Sequence, residues 1–211
     1  MKLIFDIGAN VGNTTQFFST VSDKVISFEP NPELFKYLLT RFNTSNVIID
    51  SRGLSDKEEI KVFKIANANT ISTFSDDWIN KSRFSNSIYN WNQHVDVLTT
   101  TLDLIIEQYG IPDYVKIDVE GYELEVLLGL SQLLKYTIFS FEWAEEEYFK
   151  ILKTIEHVQR LGYNCFGFSY ADDILLDYQI SWNTWEKLDW HNDINPDRKD
   201  KWGMIYFKYN I

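Results

Sequence analysis

Hydrophobic and polar positions along the chain switch between two periods. Residues 2–7, 25–28 and 47–50 are short apolar runs without alternation, the pattern of strands covered on both faces. Between them apolar positions recur at helical spacing: Phe17, Phe18 and Val21 after the first run, then Leu34, Phe35, Leu38, Leu39 and Phe42 after the second. Asn13, Thr14 and Thr15 are placed to cap the first helix, and Asn31 the second, with Pro32 in its first turn. Strand–helix alternation this regular predicts parallel βαβ units.

The rhythm then breaks. Residues 59–65 read as a strand, but 66–94 are rich in Asn, Ser and aromatic residues without a lasting period. Long irregular segments inside domains are commonly functional, so this one is expected to be an ordered lid or acceptor wall. Alternation resumes with strands at 95–100 and 114–118, separated by a helix that starts at Thr101 or Asp103 and closes at Gly110. Gly121 opens a helix carrying Leu124, Leu127 and Leu128, and 137–142 repeat the plan of an apolar strand ending in an acid. The helix expected over 145–161 shows Tyr148, Ile151, Leu152, Ile155 and Val158 in register, with Gly162 after it. Residues 164–169 and 204–209 are predicted strands, and the Trp-rich connection between them is left unassigned. The pattern predicts an α/β fold organised as a single domain over 1–211, with an aromatic-rich insertion around 66–94.

Composition narrows the function classes. A formal net charge of −11 argues against non-specific nucleic-acid binding, which needs a basic footprint. No apolar run reaches transmembrane length, and Asp6 with the following glycines interrupts the only stretch that begins like a signal peptide. Cys165 is the only cysteine, which excludes an internal disulfide and fits a cytoplasmic location. Aromatic residues crowd into 74–91 and 178–202.

The candidate chemistry starts at the first strand. Asp6, Gly8 and Gly12 mark a strand, a tight turn and a helix N-terminus, the place where doubly wound sheets hold nucleotide-like ligands. A dinucleotide fingerprint would carry Gly at position 10, which is Asn here, so the spacing favours S-adenosylmethionine (SAM) over NAD. Four predicted strands end in acids, Asp6, Glu29, Asp118 and Glu142, and in a parallel sheet these should converge on one crevice. Glu29 is placed to accept hydrogen bonds from ribose hydroxyls.

Three motifs, residues 5–12 (FDIGANVG), 28–32 (FEPNP) and 116–129 (KIDVEGYELEVLLG), together resemble the FkbM-type SAM-dependent methyltransferases. Thr101, Leu102 and Asp103 also match that family's habit. The resemblance covers roughly residues 3–142. It implies the class I SAM-methyltransferase (Rossmann-like) three-layer fold, a mostly parallel seven-stranded sheet with an antiparallel last strand, and methylation of a hydroxyl, often on a sugar. It implies that Asp6, Gly8, Asn10 and Gly12 line the methionine end of SAM and Glu29 its ribose. Gly53, Leu54 and Ser55 fall near the adenine, and Asp118 between cofactor and acceptor. Ala9, Asn13, Pro30 and Asn31 complete the expected cofactor set.

An alcohol needs a base as its proton leaves. Asp118 is the first candidate, Glu142 the second and His94 a third, because His94 follows the aromatic segment. His157, on the polar face of the long helix, and His191 have no context that raises them. Asp118 and Glu142 offer hard oxygen ligands for a divalent metal, but without a third ligand a metal is not favoured. Glu123 is read as a stabiliser of a first helical turn. Trp78, Tyr89 and Trp91 are expected to contribute to an acceptor wall. The rival readings are an NAD-binding oxidoreductase, which lacks a Tyr-x-x-x-Lys pair, and a non-catalytic binding module, which would have lost the acids.

Overall fold

The computed structural model describes residues 1–43, 46–171, 174–188 and 201–210. His191 and part of the aromatic stretch 178–202 lie outside the described residues. The first apolar runs become β1 (Leu3–Ile7), β2 (Lys24–Phe28) and β3 (Val47–Asp50), with α1 (Asn13–Val21) and α2 (Pro32–Arg41) between them. Next come β4 (Gly53–Leu54), β5 (Ile60–Ile65), α3 (Asp76–Lys81), β6 (Gln93–Thr100), α4 (Leu102–Tyr109) and β7 (Tyr114–Ile117). The chain continues through α5 (Glu123–Leu128), β8 (Ile138–Ala144), α6 (Tyr148–Leu161), β9 (Cys165–Tyr170) and β10 (Trp202–Lys208).

Among the described residues seven strands form one sheet in the order β3-β2-β1-β7-β8-β10-β9. β1, β2, β3, β7 and β8 run parallel, and β10 inserts antiparallel between β8 and β9. The chain order reverses on either side of β1, so a crevice opens at the carboxyl ends of β1, β2 and β7. β1 is buried along its whole length, which is why its sequence does not alternate. On one face Phe139 stacks on Phe207 at 4.9 Å, with Tyr163 packed edge-on at the same separation. On the other face Phe18 of α1 meets Tyr114 at 5.5 Å.

Helix ends follow the sequence in part. Asn31 Oδ1 accepts from the Glu33 amide at 3.0 Å, as its position predicts. No side chain caps α1: Gly12 takes the N-cap, and Thr15 turns inward to Asp6 instead. Helical structure begins at 145 as expected, but residues 145–147 form a 3-10 turn before α6. His157 is half-buried rather than idle, with Nε2 at 2.9 Å from the Leu127 carbonyl oxygen, where it ties α6 to α5.

Two features escape periodicity. β4 joins β6 and β5 in a second small sheet, whose β5–β6 hairpin carries the 66–94 segment between its strands. Inside that segment lie a 3-10 turn at Asn69–Ile71 and the six-residue helix α3. Ser75 caps α3 by accepting from the Trp78 amide at 3.1 Å. Trp78 and Trp91 are buried with Ile71 and Ala144 in a cluster of their own.

Candidate active site

A cleft of about 760 Å³ opens at the carboxyl ends of β1, β2 and β7. Its floor is the turn after β1. Gly8 has φ +82°, and a Cβ there would lie 1.8 Å from the Asp118 carbonyl oxygen. Only glycine lets the β1 and β7 ends approach this closely. Asn10 also takes a left-handed conformation, φ +50°, and its Oδ1 is buried without a hydrogen-bond partner.

Glu29 closes one side. Its Oε2 accepts from the Asn10 amide at 2.7 Å and its Oε1 from the Asn31 amide at 2.8 Å. Two turns thus fix the carboxylate while each oxygen keeps a second lone pair for a ligand. Burial raises its pKa to about 7, against the lowering effect of the two amides.

Behind the floor, Asp6 is fully buried and does not line the cleft. Its Oδ2 accepts from the Thr15 hydroxyl at 2.5 Å, and Thr15 Oγ1 lies 3.0 Å from Ser27 Oγ. Lys116 joins the two strand ends: its Nζ lies 3.1 Å from the Gly8 carbonyl oxygen, 3.1 Å from Asp118 Oδ2 and 3.7 Å from Asp6 Oδ1. Burial works against the ammonium charge, but Asp118 and Asp6 outweigh it and hold the lysine protonated. Burial likewise raises the Asp6 pKa, with Lys116 opposing.

Opposite the floor stand three acids. Asp118, Glu120 and Glu142 each offer a carboxylate oxygen, and these lie within 4.8 Å of one another. Burial, and after it repulsion from Asp118, pushes both Glu120 and Glu142 well above the usual carboxylate range. Predicted strand ends alone account for two of these acids, Asp118 and Glu142. Glu120, two residues after Asp118 and in a left-handed conformation with φ +57°, supplies the third. Three hard oxygens at this spacing are a donor set of the kind that holds a divalent cation.

The structure brings together most of the expected cofactor residues and sets others behind them. Gly8, Ala9, Asn10, Asn13, Glu29, Pro30, Gly53, Leu54 and Asp118 line the cleft. Asp6, Gly12, Asn31 and Ser55 do not. Asn31 is spent on capping α2, and Ser55 is fully buried with its hydroxyl 3.2 Å from the Tyr122 hydroxyl. Gly12 is kept small by Leu38 and Phe42, either of which a Cβ would meet at 2.7 Å.

The catalytic expectations divide. Glu142 lines the cleft with Asp118, but His94 does not: it is exposed on β6, its ring at 3.0 Å from the Trp91 carbonyl oxygen. Pairing of Lys64 with His94 in the β5–β6 hairpin carries it away from the acids. Glu123 does more than serve a helix dipole. Its Oε1 accepts from the amides of Val119 and Gly121 at 2.9 and 3.3 Å, pinning the turn that presents Asp118 and Glu120.

The aromatic expectation needs a correction. Trp78 and Trp91 do not reach the cleft, and Trp91 Nε1 donates to the Ile71 carbonyl at 2.7 Å beneath it. Tyr89 packs on Phe84 from outside, with ring centroids 5.5 Å apart. The lining from this region is instead Asn69–Ile71, Ser72, Phe74, Arg83 and Phe84, faced by Trp202. Nothing periodic marks Arg83 or Phe84, and Trp202 is more than a hundred residues away in sequence.

The family described as "Methyltransferase FkbM domain" matches residues 6–165. The chain belongs to this family. The hexuronic acid methyltransferase AglP of Haloferax volcanii is 29% identical over 141 residues, 65% of this chain and 53% of AglP. A crystal structure of methyltransferase FkbM from Methylobacillus flagellatus KT aligns with a TM-score of 0.56 at 16% identity, covering 98% of this chain and 43% of that one. The chain therefore spans about half the length of the relatives it matches. The likeness to the crystal structure is one of fold, and in the present sheet the antiparallel strand β10 enters beside β8. Among the described residues no helix is long and apolar enough to cross a membrane.

Proposed function

We propose that this FkbM domain is a SAM-dependent O-methyltransferase acting on a saccharide hydroxyl. The observation that carries the reading is the cleft itself: a glycine turn and a twice-anchored Glu29 on one side, and Asp118 with Glu142 on the other. The orphaned Asn10 Oδ1 on the floor fits a ligand with donor groups, as the methionine end of SAM has. AglP, a sugar-acid methyltransferase by name, supports a saccharide acceptor.

In this reading Glu29 accepts from the ribose hydroxyls through the lone pairs its amide partners leave open. Gly53 and Leu54 form the adenine side, and Gly8, Ala9, Asn10 and Asn13 the methionine side. SAM supplies an electrophilic methyl group on a sulfonium. Asp118 takes the hydroxyl proton on its carboxylate while Lys116 holds that side chain against the cofactor turn, and Glu142 stands second. Much of the acceleration then comes from holding donor and acceptor in line. The 66–94 segment serves as the acceptor-side wall.

An NAD-dependent reading has less support, because Asn10 replaces the glycine that a pyrophosphate turn uses. The test is turnover: the chain incubated with SAM and a panel of hexosides and hexuronides should yield products heavier by one methyl on oxygen. A methyl found on nitrogen would overturn the acceptor class.

A further inference from the structure

Arg83 is a charged group on the acceptor side that the proposed chemistry leaves without a task. Among the described residues three cationic side chains line the cleft. Arg52 pairs with Asp50 at 2.6 Å, next to the strand that carries Gly53. Lys116 is taken up by Asp118 and Gly8. Arg83 stands apart from both. Its guanidinium carbon lies 4.8, 5.5 and 5.8 Å from the ring centres of Phe84, Trp78 and Trp202. Glu146 Oε1 accepts from the Arg83 backbone amide at 3.0 Å and from its Nη1 at 3.1 Å.

These contacts hold the guanidinium in place with one corner of a five-donor fork, and the side chain stays 35% exposed. A fork fixed against aromatic faces is preorganised for a planar anion, which it can take with two parallel hydrogen bonds. Phe84 and Trp202 also line the cleft, so they offer apolar faces to a ring that carries such an anion.

We propose that Arg83, framed by Phe84 and Trp202, is a subsite for a carboxylate on the acceptor, and that the enzyme selects an acidic sugar over its neutral counterpart. The proposal rests on the saccharide O-methyltransferase reading above. The Arg83 charge also reaches Glu120 and Glu142, where it opposes the upward push of burial and of Asp118, so a carboxylate anchored at Arg83 brings the sugar's hydroxyls beside the acids.

Paired acceptors test this on the full chain: 4-nitrophenyl β-D-glucuronide against the glucoside, and the galacturonide against the galactoside, followed by S-adenosylhomocysteine release and product mass. The uronides should be preferred by roughly tenfold or more in kcat/KM, the scale of one charge-assisted pair. R83Q should raise KM for the uronides by roughly tenfold more than for the neutral sugars, while R83K, which keeps the charge but not the fork, should lose part of the preference. Melting temperature and SAM affinity are measured alongside, and if R83Q fails to fold, the wild-type preference and R83K decide. Equal or better turnover of the neutral sugars by the wild type overturns the subsite, as does an R83Q defect of the same size on both members of a pair. In those cases the methyltransferase reading survives. Turnover of no saccharide while SAM still binds defeats the saccharide reading and the subsite together.

Discussion

The two sides of the cleft are built by different means. On the side of the β1 turn the main chain does most of the work: Gly8, Asn10 and the Asn31 amide shape the floor and hold Glu29, all within about thirty residues of sequence. On the opposite side the wall is made of side chains from Asn69–Ile71, Phe84, Glu120, Glu142 and Trp202, far apart in the chain. Lys116 couples the two by bonding Gly8 and Asp118 at once. A turn defined by backbone geometry tolerates few residue types at each position. A wall defined by side chains can be rebuilt without disturbing the floor, which is how one fold serves many acceptors.

The sharpest way to break this comparison is at Gly8. A Cβ there meets the Asp118 carbonyl at 1.8 Å and requires a left-handed alanine. Gly8→Ala should therefore cost about 4 kcal/mol or more of stability and abolish SAM binding, measured by chemical unfolding and calorimetry. Near-normal SAM affinity in this variant would mean that the turn is not the cofactor floor.

On the other side, packing and lining should separate. Trp78 is fully buried and sits behind the wall, so Trp78→Ala should lose about 3–5 kcal/mol of stability. Phe84 is half-buried and lines the cleft, so Phe84→Ala should cost less stability and raise acceptor KM with SAM affinity kept. If Phe84→Ala changes only stability, the wall is scaffold and not a binding surface.

This contrast also explains what was legible in the sequence. The floor could be read because its requirements are local: glycines where the backbone turns left-handed, an acid at the end of each buried strand, Asn31 and Pro32 opening α2. The buried parallel strands could be read because apolar runs without alternation demand cover on both faces, whereas their order in the sheet is a property of the tertiary fold. β4 was missed because two residues carry no period, and α3 because a six-residue helix burying a single tryptophan leaves no stripe. Trp78 and Trp91 were placed in the wall because composition shows that aromatics cluster, and burial alone shows which of them face inward. Arg83 and Trp202 had no signal of their own; only the tertiary fold brings them within 5.8 Å. His94 lies exposed on β6 outside the cleft, a placement set by strand pairing that sequence spacing does not display.

A smaller effect sharpens the role of Glu29. Burial raises its pKa from about 4.5 to about 7, so the folded chain holds this proton more tightly than the unfolded one. The contribution to stability is full below about pH 4.5 and is lost as the pH rises through about 7. Ribose hydroxyls donate to the ionised form, so SAM affinity should do the reverse. It should fall roughly tenfold per unit below about pH 7, and Glu29→Gln should flatten the profile. A wild-type affinity that stays level from pH 5 to pH 8 would separate Glu29 from the ribose.

The central claim is that the turn after β1 and Glu29 together form a SAM site, and calorimetric titration of SAM and NAD into the wild type and Glu29→Ala tests it most directly. The wild type should bind SAM at one site per chain and show no comparable heat with NAD. Glu29→Ala should bind SAM roughly ten- to a hundredfold more weakly, as expected for the loss of two charge-assisted hydrogen bonds. Tight NAD binding without SAM binding, or SAM binding indifferent to Glu29, would contradict the account.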